Sequence, residues 1–174
     1  MPMIFRGFSL IELLIVIAMI SILLLLAVPT QNSFFDKSKA KMMAEQLRLS
    51  INFARNEAIV RNVPIILCKS RNQKECSGEW QDGYIILAEK KIIFAFKNTI
   101  QNGILHWRSS LNHPYLTFMP SGISVQENGT FWYCLKNTEN PAWAIVINKA
   151  GRVRISYPDS SGEIIDEKGK LLAC

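Results

Sequence analysis

The 174-residue sequence predicts an α+β fold, in which the second half of a long N-terminal helix packs on antiparallel β-sheet. Three observations support this class. An apolar run occupies residues 8–28, an amphipathic helical pattern follows it, and short β-rich segments fill the remainder. Without its first 30 or so residues the chain is still long enough for one domain with a core of normal size.

The apolar run, FSLIELLIVIAMISILLLLAV, contains a single charged residue, Glu12. A helix of about 21 residues is about 31 Å long and matches the ~30 Å hydrocarbon core of a bilayer, so residues 8–29 are expected to be transmembrane. A carboxylate in lipid costs on the order of 2.5 to 3.5 kcal/mol, which predicts a partner for Glu12. A signal peptide is disfavoured by the length and by Leu25 at the cleavage position, whereas an ordinary membrane anchor remains an alternative.

A second helical pattern begins after Pro29. Apolar residues recur there at spacings of three and four, as expected for one buried helix face. The members of this face are Met43, Leu47, Ile51, Ala54 and Ala58. The helix is expected to end near Arg61, because Asn62 and Pro64 follow. Pro29 has no amide hydrogen and is expected to kink or locally melt the helix.

Eight β-rich segments follow the helix and predict eight strands. They are Ile65 to Lys69, Tyr84 to Leu87, Ile92 to Phe96, Ile104 to Trp107, Leu116 to Met119, Thr130 to Leu135, Ala144 to Ile147 and Val153 to Tyr157. The dipeptides Asn102-Gly103 and Asn128-Gly129 are typical of turns.

The four cysteines, Cys68, Cys76, Cys134 and Cys174, form no Cys-x-x-Cys pair, which argues against a zinc site and favours disulfides. Three pairings are possible, and local spacing favours Cys68 with Cys76, leaving Cys134 with Cys174. The second bond would make residues 157–173 an anchored loop. Four free, buried thiols remain the alternative.

At the start of the apolar run the sequence reads RGFSLIEL over residues 6–13. This closely resembles the class III signal of type IV pilins and type II secretion pseudopilins. The resemblance implies that a prepilin peptidase removes residues 1–7 by cutting after Gly7, and then methylates the new amino terminus at Phe8. It also implies that Glu12 meets the Phe8 ammonium of a neighbouring subunit during assembly. Residues 30–174 would then form a periplasmic pilin domain that includes the amphipathic half of the helix.

Later segments resemble the GspH/FimT/FimU group, and most closely a FimT-type minor pilin. They are FARNEAIVRN at 53–62, PIILC at 64–68, WQDGY at 80–84 and GRVR at 151–154. The group includes assembly-priming minor pilins, minor pilins that bind DNA for natural transformation, and a secretion pseudopilin. The resemblance implies a type IV pilin fold in the bacterial inner membrane, with the C-terminal domain in the periplasm, and later in the pilus at the cell surface. The implied partners are major and minor pilins, prepilin peptidase and, before assembly, inner membrane lipid.

The charge distribution bears on the choice within this group. The net charge is +6, and residues 134–157 are basic whereas residues 158–174 are acidic. Arg152 and Arg154 lie two residues apart, so on a strand they share a face with about 7 Å between them. This spacing matches successive phosphates of a nucleic-acid strand, and arginine can bind phosphate oxygens bidentately. In DNA-binding FimT-like pilins, Gly-Arg-x-Arg at this place is implicated in DNA contact.

Several neighbours are predicted to complete this DNA-binding site. Lys149 adds a charge, Gly151 allows close backbone approach, and Tyr157 or Trp143 could stack on a base. Lys136 is a further candidate, and Arg108 another that the sequence cannot place. Non-specific binding of DNA for uptake in natural transformation is therefore the expected function.

Two alternatives stay open. Arg152 and Arg154 could be a solvated strand face, or could form ion pairs with Glu163, Asp166 or Glu167. The protein would then be a FimU-like or GspH-like subunit with a purely structural role.

No feature of the sequence indicates an enzyme. His106 and His113 lie seven residues apart with no cysteine or carboxylate at ligand spacing, so structural histidines are favoured over metal ligands. Nucleophile-elbow, P-loop and dinucleotide-binding motifs are absent. We expect no catalytic residue, no metal and no cofactor.

Overall fold

The structure is a computed structural model, and it describes residues 9–27, 31–98, 102–124, 128–136, 138–166 and 169–174. The chain divides into two compact units, Met1–Asp36 and Lys37–Cys174.

In the first unit, helix α1 spans Leu10–Ala27. Its side chains are exposed on every side through Leu24, and Glu12 is the acidic residue of its first turn. Among the described residues, no helix is long and apolar enough to cross a membrane. The predicted cleavage site at Gly7 and Phe8 and the predicted kink at Pro29 lie outside the described residues, as do both ends of the predicted membrane segment 8–29. These remain predictions.

Helix α2 spans Gln31–Arg61 and ends at the predicted residue. Asn62 follows with a φ of 55°, the left-handed conformation that commonly terminates a helix. The buried face of α2 includes all five predicted residues and two further alanines. Its members are Ala40, Met43, Ala44, Leu47, Ile51, Ala54 and Ala58.

All eight predicted strands are confirmed, with ends displaced by at most two residues. They are β1 (Ile65–Lys69), β2 (Gly83–Ala88), β3 (Lys91–Lys97), β4 (Gly103–Ser109), β5 (Tyr115–Phe118), β6 (Gly129–Leu135), β7 (Trp143–Ile147) and β8 (Val153–Ser156). Two antiparallel four-stranded sheets result. The first has the order β3-β2-β1-β5, and the second has the order β4-β6-β7-β8, so β8 is an edge strand.

One core joins α2 to the inner faces of both sheets. Its largest fully buried side chains are Trp143, Tyr133, Phe118 and Phe131. Side chains alternate along a strand, and alternate residues of β7 face the core. Ala144 and Val146 therefore lie on the opposite, outer face of the second sheet. The predicted α+β class, a helix packed on antiparallel sheet, is confirmed.

The C-terminal segment, residues 158–174, covers part of that outer face. Ile164 and Leu172 pack on Ala144, with Trp132 at the edge of the cluster. The Trp132 indole donates a hydrogen bond to the Ala173 carbonyl at 3.1 Å. The segment is therefore an anchored loop.

Both disulfides of the predicted pairing are present, Cys68–Cys76 and Cys134–Cys174. The first closes a polar loop after β1, and the second joins β6 to the last residue of the chain. Oxidised cysteines fit a protein that folds outside the reducing cytoplasm.

Two glycines expected in turns lie in strands instead. Gly103 begins β4 and Gly129 begins β6. A Cβ atom at Gly129 would lie 2.0 Å from the Trp107 ring, and one at Gly103 would lie 2.2 Å from the Cys134 carbonyl oxygen. These glycines permit close contact between β4 and β6, which the dipeptide pattern does not reveal.

The buried hydroxyl of Tyr84 is expected to make the free energy of unfolding depend on pH above pH 10. Its hydroxyl lies 2.8 Å from that of Ser50 in the interior. Burial raises the pKa of Tyr84 to about 12, although the Ser50 hydrogen bond acts in the opposite direction. Below pH 10 the tyrosine is neutral in both the folded and the unfolded chain, so the folded state keeps the full stabilisation from the buried neutral hydroxyl. We expect the free energy of unfolding to fall by roughly 2 to 3 kcal/mol between pH 10 and 12, because the unfolded tyrosine ionises first.

Urea unfolding followed by circular dichroism at pH 9, 10.5 and 11.5 would measure this loss. Tyr84→Phe should remove most of the pH dependence, whereas Tyr115→Phe, at an exposed tyrosine, should retain it. Equal alkaline losses in wild type and Tyr84→Phe would contradict the prediction.

Candidate functional site

The candidate site is built on the turn between β7 and β8. The Asn148 amide donates to the Arg152 carbonyl at 3.1 Å, and the Gly151 amide donates to the Asn148 carbonyl at 2.8 Å. The Arg152 amide in turn donates to the Asn148 side-chain oxygen at 3.0 Å. Gly151 has a φ of 74°, which a tight hairpin turn requires and glycine adopts without strain. The turn therefore has a defined conformation.

Arg152 and Arg154 lie together on the outer face of the second sheet, at its edge. Both side chains are exposed, whereas Val153 and Ile155 pack against the core. Strand alternation thus directs the two arginines away from α2, about 7 Å apart along the strand. With Val146 they line a shallow cavity of about 350 Å³. Lys149 is exposed in the adjoining turn.

These three basic side chains are not neutralised by described carboxylates. Over the described ranges, neither arginine forms an ion pair, and Lys149 forms none either. Asp166, a predicted possible partner, instead accepts a hydrogen bond from Arg108, with 2.6 Å between Nη2 and Oδ2. Glu167 lies outside the described residues.

Arg108 lies in the same cross-strand row as Arg154. Directly opposed residues run from Arg108 on β4 through Thr130 and Val146 to Arg154. Three strand spacings separate the two arginines by about 14 Å. The Arg108 guanidinium also lies 5.5 Å from the ring centre of Trp132. Its charge is thus engaged by Asp166 and an aromatic ring, and it belongs to the border of the basic surface.

Lys136 is not brought to this site. It follows the end of β6, where Leu135 pairs with Gly103. Arg154 lies level with Thr130 at the other end of β6, about 20 Å away along the strand. The register of the sheet therefore contradicts the prediction that Lys136 extends the basic surface.

The proposed aromatic stacking partners are also excluded. Trp143 is fully buried. Tyr157 lies by α2, where the Lys41 Nζ atom is 5.7 Å from its ring centre, while the arginines face the other side of the sheet. Burial, followed by the charge of Glu45, raises the pKa of Tyr157. Neither ring can stack on a base held by the two arginines.

Gly151 was expected to allow close approach of DNA to the backbone, but the structure gives a different physical reason for a glycine at this position. A Cβ atom there would lie 2.4 Å from the Gly122 carbonyl oxygen and 2.8 Å from Arg55 Nε. The space at this glycine is taken by the protein itself. No local signal identifies these two partners, because they are distant in sequence.

Among the described residues, the two histidines are not part of a cluster of metal-ligand side chains. The described segments contain no group of three or more His, Cys, Asp or Glu side chains that could hold a metal. His106 stacks on Trp132 with 5.0 Å between ring centres, and burial lowers its pKa.

Two protein-family models match this chain. The model of type II transport protein GspH matches residues 43–151. The chain belongs to the GspH family. The model of the prokaryotic N-terminal methylation motif also matches this GspH-family protein, at residues 3–28, a range that contains Gly7, Phe8 and Glu12. Family and motif together are those of membrane-anchored pilins and pseudopilins. Comparison with curated protein sequences finds no match.

Two solved structures share the fold of this GspH-family protein. Type IV minor pilin FimU of Pseudomonas aeruginosa aligns with a TM-score of 0.54 and 21% identity, over 71% of this chain and 92% of FimU. The minor pseudopilin EpsH from the type II secretion system of Vibrio cholerae aligns with a TM-score of 0.52 and 15% identity, over 71% of this chain and 97% of EpsH. The GspH family model confirms the predicted membership of the GspH/FimT/FimU group, and the two solved structures show the shared fold.

Proposed function

We propose that this minor pilin binds DNA without sequence specificity through Lys149, Arg152 and Arg154, for uptake in natural transformation. The observation that carries the proposal is that Arg152 and Arg154 are exposed on one face of an edge strand, without an ion pair to any described carboxylate. We call the surface formed by these three residues the basic edge.

The geometry of the basic edge suits a phosphate backbone. Two arginines whose Cα atoms are about 7 Å apart can each direct a guanidinium group to the oxygens of successive phosphates. The groups project from the edge of the sheet, and among the described residues no further strand pairs with β8 to limit the approach of a large ligand. Phosphate contacts carry no sequence information, which predicts binding to any duplex.

The buried carboxylate of the acidic C-terminal segment, Asp166, does not pair with the arginines of the basic edge. Asp166 is nearly buried and bonds to Arg108, and its second oxygen accepts the Lys170 amide at 2.8 Å. Because both oxygens of Asp166 are engaged, the carboxylate is held away from Arg152 and Arg154. Asp166 therefore does not neutralise the basic edge through an ion pair.

The remainder of the proposed life cycle follows from the N-terminal motif. Prepilin peptidase cuts after Gly7 and methylates Phe8, and inner membrane lipid holds the subunit with its C-terminal domain in the periplasm. Glu12 then meets the Phe8 ammonium of a neighbouring major or minor pilin. Assembly moves the basic edge into the pilus at the cell surface.

Binding of the full chain, purified in a nonionic detergent, to two unrelated fluorescent duplexes tests the proposal. Anisotropy titrations between 0.05 and 0.3 M salt should give equal affinities for both duplexes. Two phosphate contacts predict a log–log slope of about −1.8, and a third contact through Lys149 predicts about −2.7. Absence of binding at the lowest salt, or affinity independent of salt, would contradict DNA binding.

A purely structural role, FimU-like or GspH-like, is the second candidate, and one observation favours it. Helix α2 has a second apolar face, formed by Met42, Leu49, Phe53 and Val60, which are 70, 55, 38 and 79% exposed. At about 100° per residue these side chains lie within about 20° of one line that is about 27 Å long. This face is nearly opposite the core face and suits packing against another subunit. Under the structural alternative, the same titration shows no binding to either duplex.

A further inference from the structure

The turn of the basic edge packs directly on another loop. The Ser124 amide donates to the Lys149 carbonyl at 3.1 Å. Gly122, in the same loop, has a φ of 76°, and its amide donates to the Met119 carbonyl at 2.7 Å. Two left-handed glycines, Gly122 and Gly151, therefore meet where the loop and the turn touch.

Arg55 joins this contact to helix α2. Its Nε donates to the Gly122 carbonyl at 2.9 Å, across 67 residues of sequence. The same nitrogen lies 2.8 Å from the position of a Cβ on Gly151. The guanidinium group thus lies against both glycines, and its neighbours Ala54 and Ala58 anchor the helix in the core.

This arrangement gives the turn a rigid support that its own residues lack. Lys149 and Ala150 are exposed, and neither packs into the core. A hydrogen bond from a charged donor is stronger than one between neutral groups. The planar guanidinium also fills the space between two positions that have no side chain. Lysine retains the charge but has neither the planar group nor the Nε donor.

We infer that Arg55 is a positioning residue for the basic edge: it holds the Gly122 loop against Gly151 and so presents Lys149 and Arg152 for phosphate contact. The inference rests on the proposed function. A positioning role predicts weaker binding with an unchanged number of phosphate contacts. A direct contact by Arg55 would instead change that number.

The test uses the full chain in detergent with Arg55→Lys and Arg55→Gln. Both are expected to weaken duplex binding about threefold to tenfold at every salt concentration, because pre-organisation of the turn is lost. The salt slope should stay at the wild-type value. Arg61→Gln is the matched control, since Arg61 pairs with Glu57 on the same helix, and it should bind like wild type.

Hydrogen exchange supplies a second readout. In Arg55→Lys, the amides of residues 148–152 and 119–124 should exchange faster, while those of β1 should not change. Wild-type affinity in Arg55→Lys, a slope reduced by about 0.9 in Arg55→Gln, or unchanged exchange in the turn would each overturn the inference. Absence of wild-type DNA binding would instead remove the proposed function, and this inference with it. Wild-type binding with unaffected Arg55 variants removes the inference alone.

Discussion

Replacing Arg152 and Arg154 together with glutamine is expected to weaken duplex DNA binding about 60-fold at 0.1 M salt and about ninefold at 0.3 M. Each phosphate contact contributes about 0.9 to the log–log salt slope, so the slope should fall by about 1.8. The salt-dependent loss distinguishes missing phosphate contacts from a general loss of affinity. Fluorescence anisotropy over this salt range measures both quantities.

The structure allows this substitution to be made without harm to the fold. Both side chains are exposed, and the core contacts of β8 come from Val153 and Ile155. The melting temperature of the double variant should therefore stay close to that of wild type. Lys91→Gln with Lys97→Gln is a matched control, because it removes two exposed charges from β3 of the other sheet.

The control should reduce affinity much less than the arginine variant. Affinity of the arginine variant within twofold of wild type would exclude the basic edge as the DNA site. Equal losses in both variants would indicate a net-charge effect without a local site. In either case the chain still binds duplex DNA, but the basic edge is not a local site for it.

Removal of the Cys134–Cys174 disulfide is expected to lower the free energy of unfolding by about 4 kcal/mol, and removal of Cys68–Cys76 by about 2.5 kcal/mol. The cysteines are 40 and 8 residues apart respectively, and a longer closed loop removes more entropy from the unfolded chain. Double alanine variants, unfolded in urea without reductant, would give both values. Equal losses would contradict the loop-closure explanation.

The longer disulfide should also determine how the C-terminal segment behaves. Without it, noncovalent contacts such as the Trp132–Ala173 hydrogen bond, the Arg108–Asp166 pair and the packing of Leu172 must hold the segment, and these open far more readily than a covalent bond. We expect limited proteolysis to cut within residues 158–174 of Cys134→Ala with Cys174→Ala, and to spare the wild type. Four free thiols in the mass spectrum of non-reduced protein would refute both disulfides.

Sequence patterns predicted most of the fold because the relevant signals are local. The core face of α2 depends on spacings of three and four within one helix, and its end at Arg61 depends on Asn62 and Pro64, which follow directly. The eight strands were recognised from short β-rich runs. The favoured disulfide partner of Cys68 was Cys76, only eight residues away.

Part of the candidate site was predictable for the same reason. Arg152 and Arg154 share a face because side chains two apart on a strand always do. Whether carboxylates neutralise them is a question of contacts between distant segments. The structure shows that Asp166 pairs with Arg108, 58 residues away, and so does not neutralise Arg152 or Arg154.

The sequence by itself determined the class of this protein, its N-terminal methylation motif, its helix and strand positions and the shared face of two arginines. Only the tertiary structure decided the rest. Strand register separated Lys136 from Arg154, burial removed Trp143, and the packing of Arg55 on Gly122 explained Gly151. The physical reason is that periodicity and turn preference act over a few residues, whereas register, burial and packing depend on segments that meet only in the folded chain.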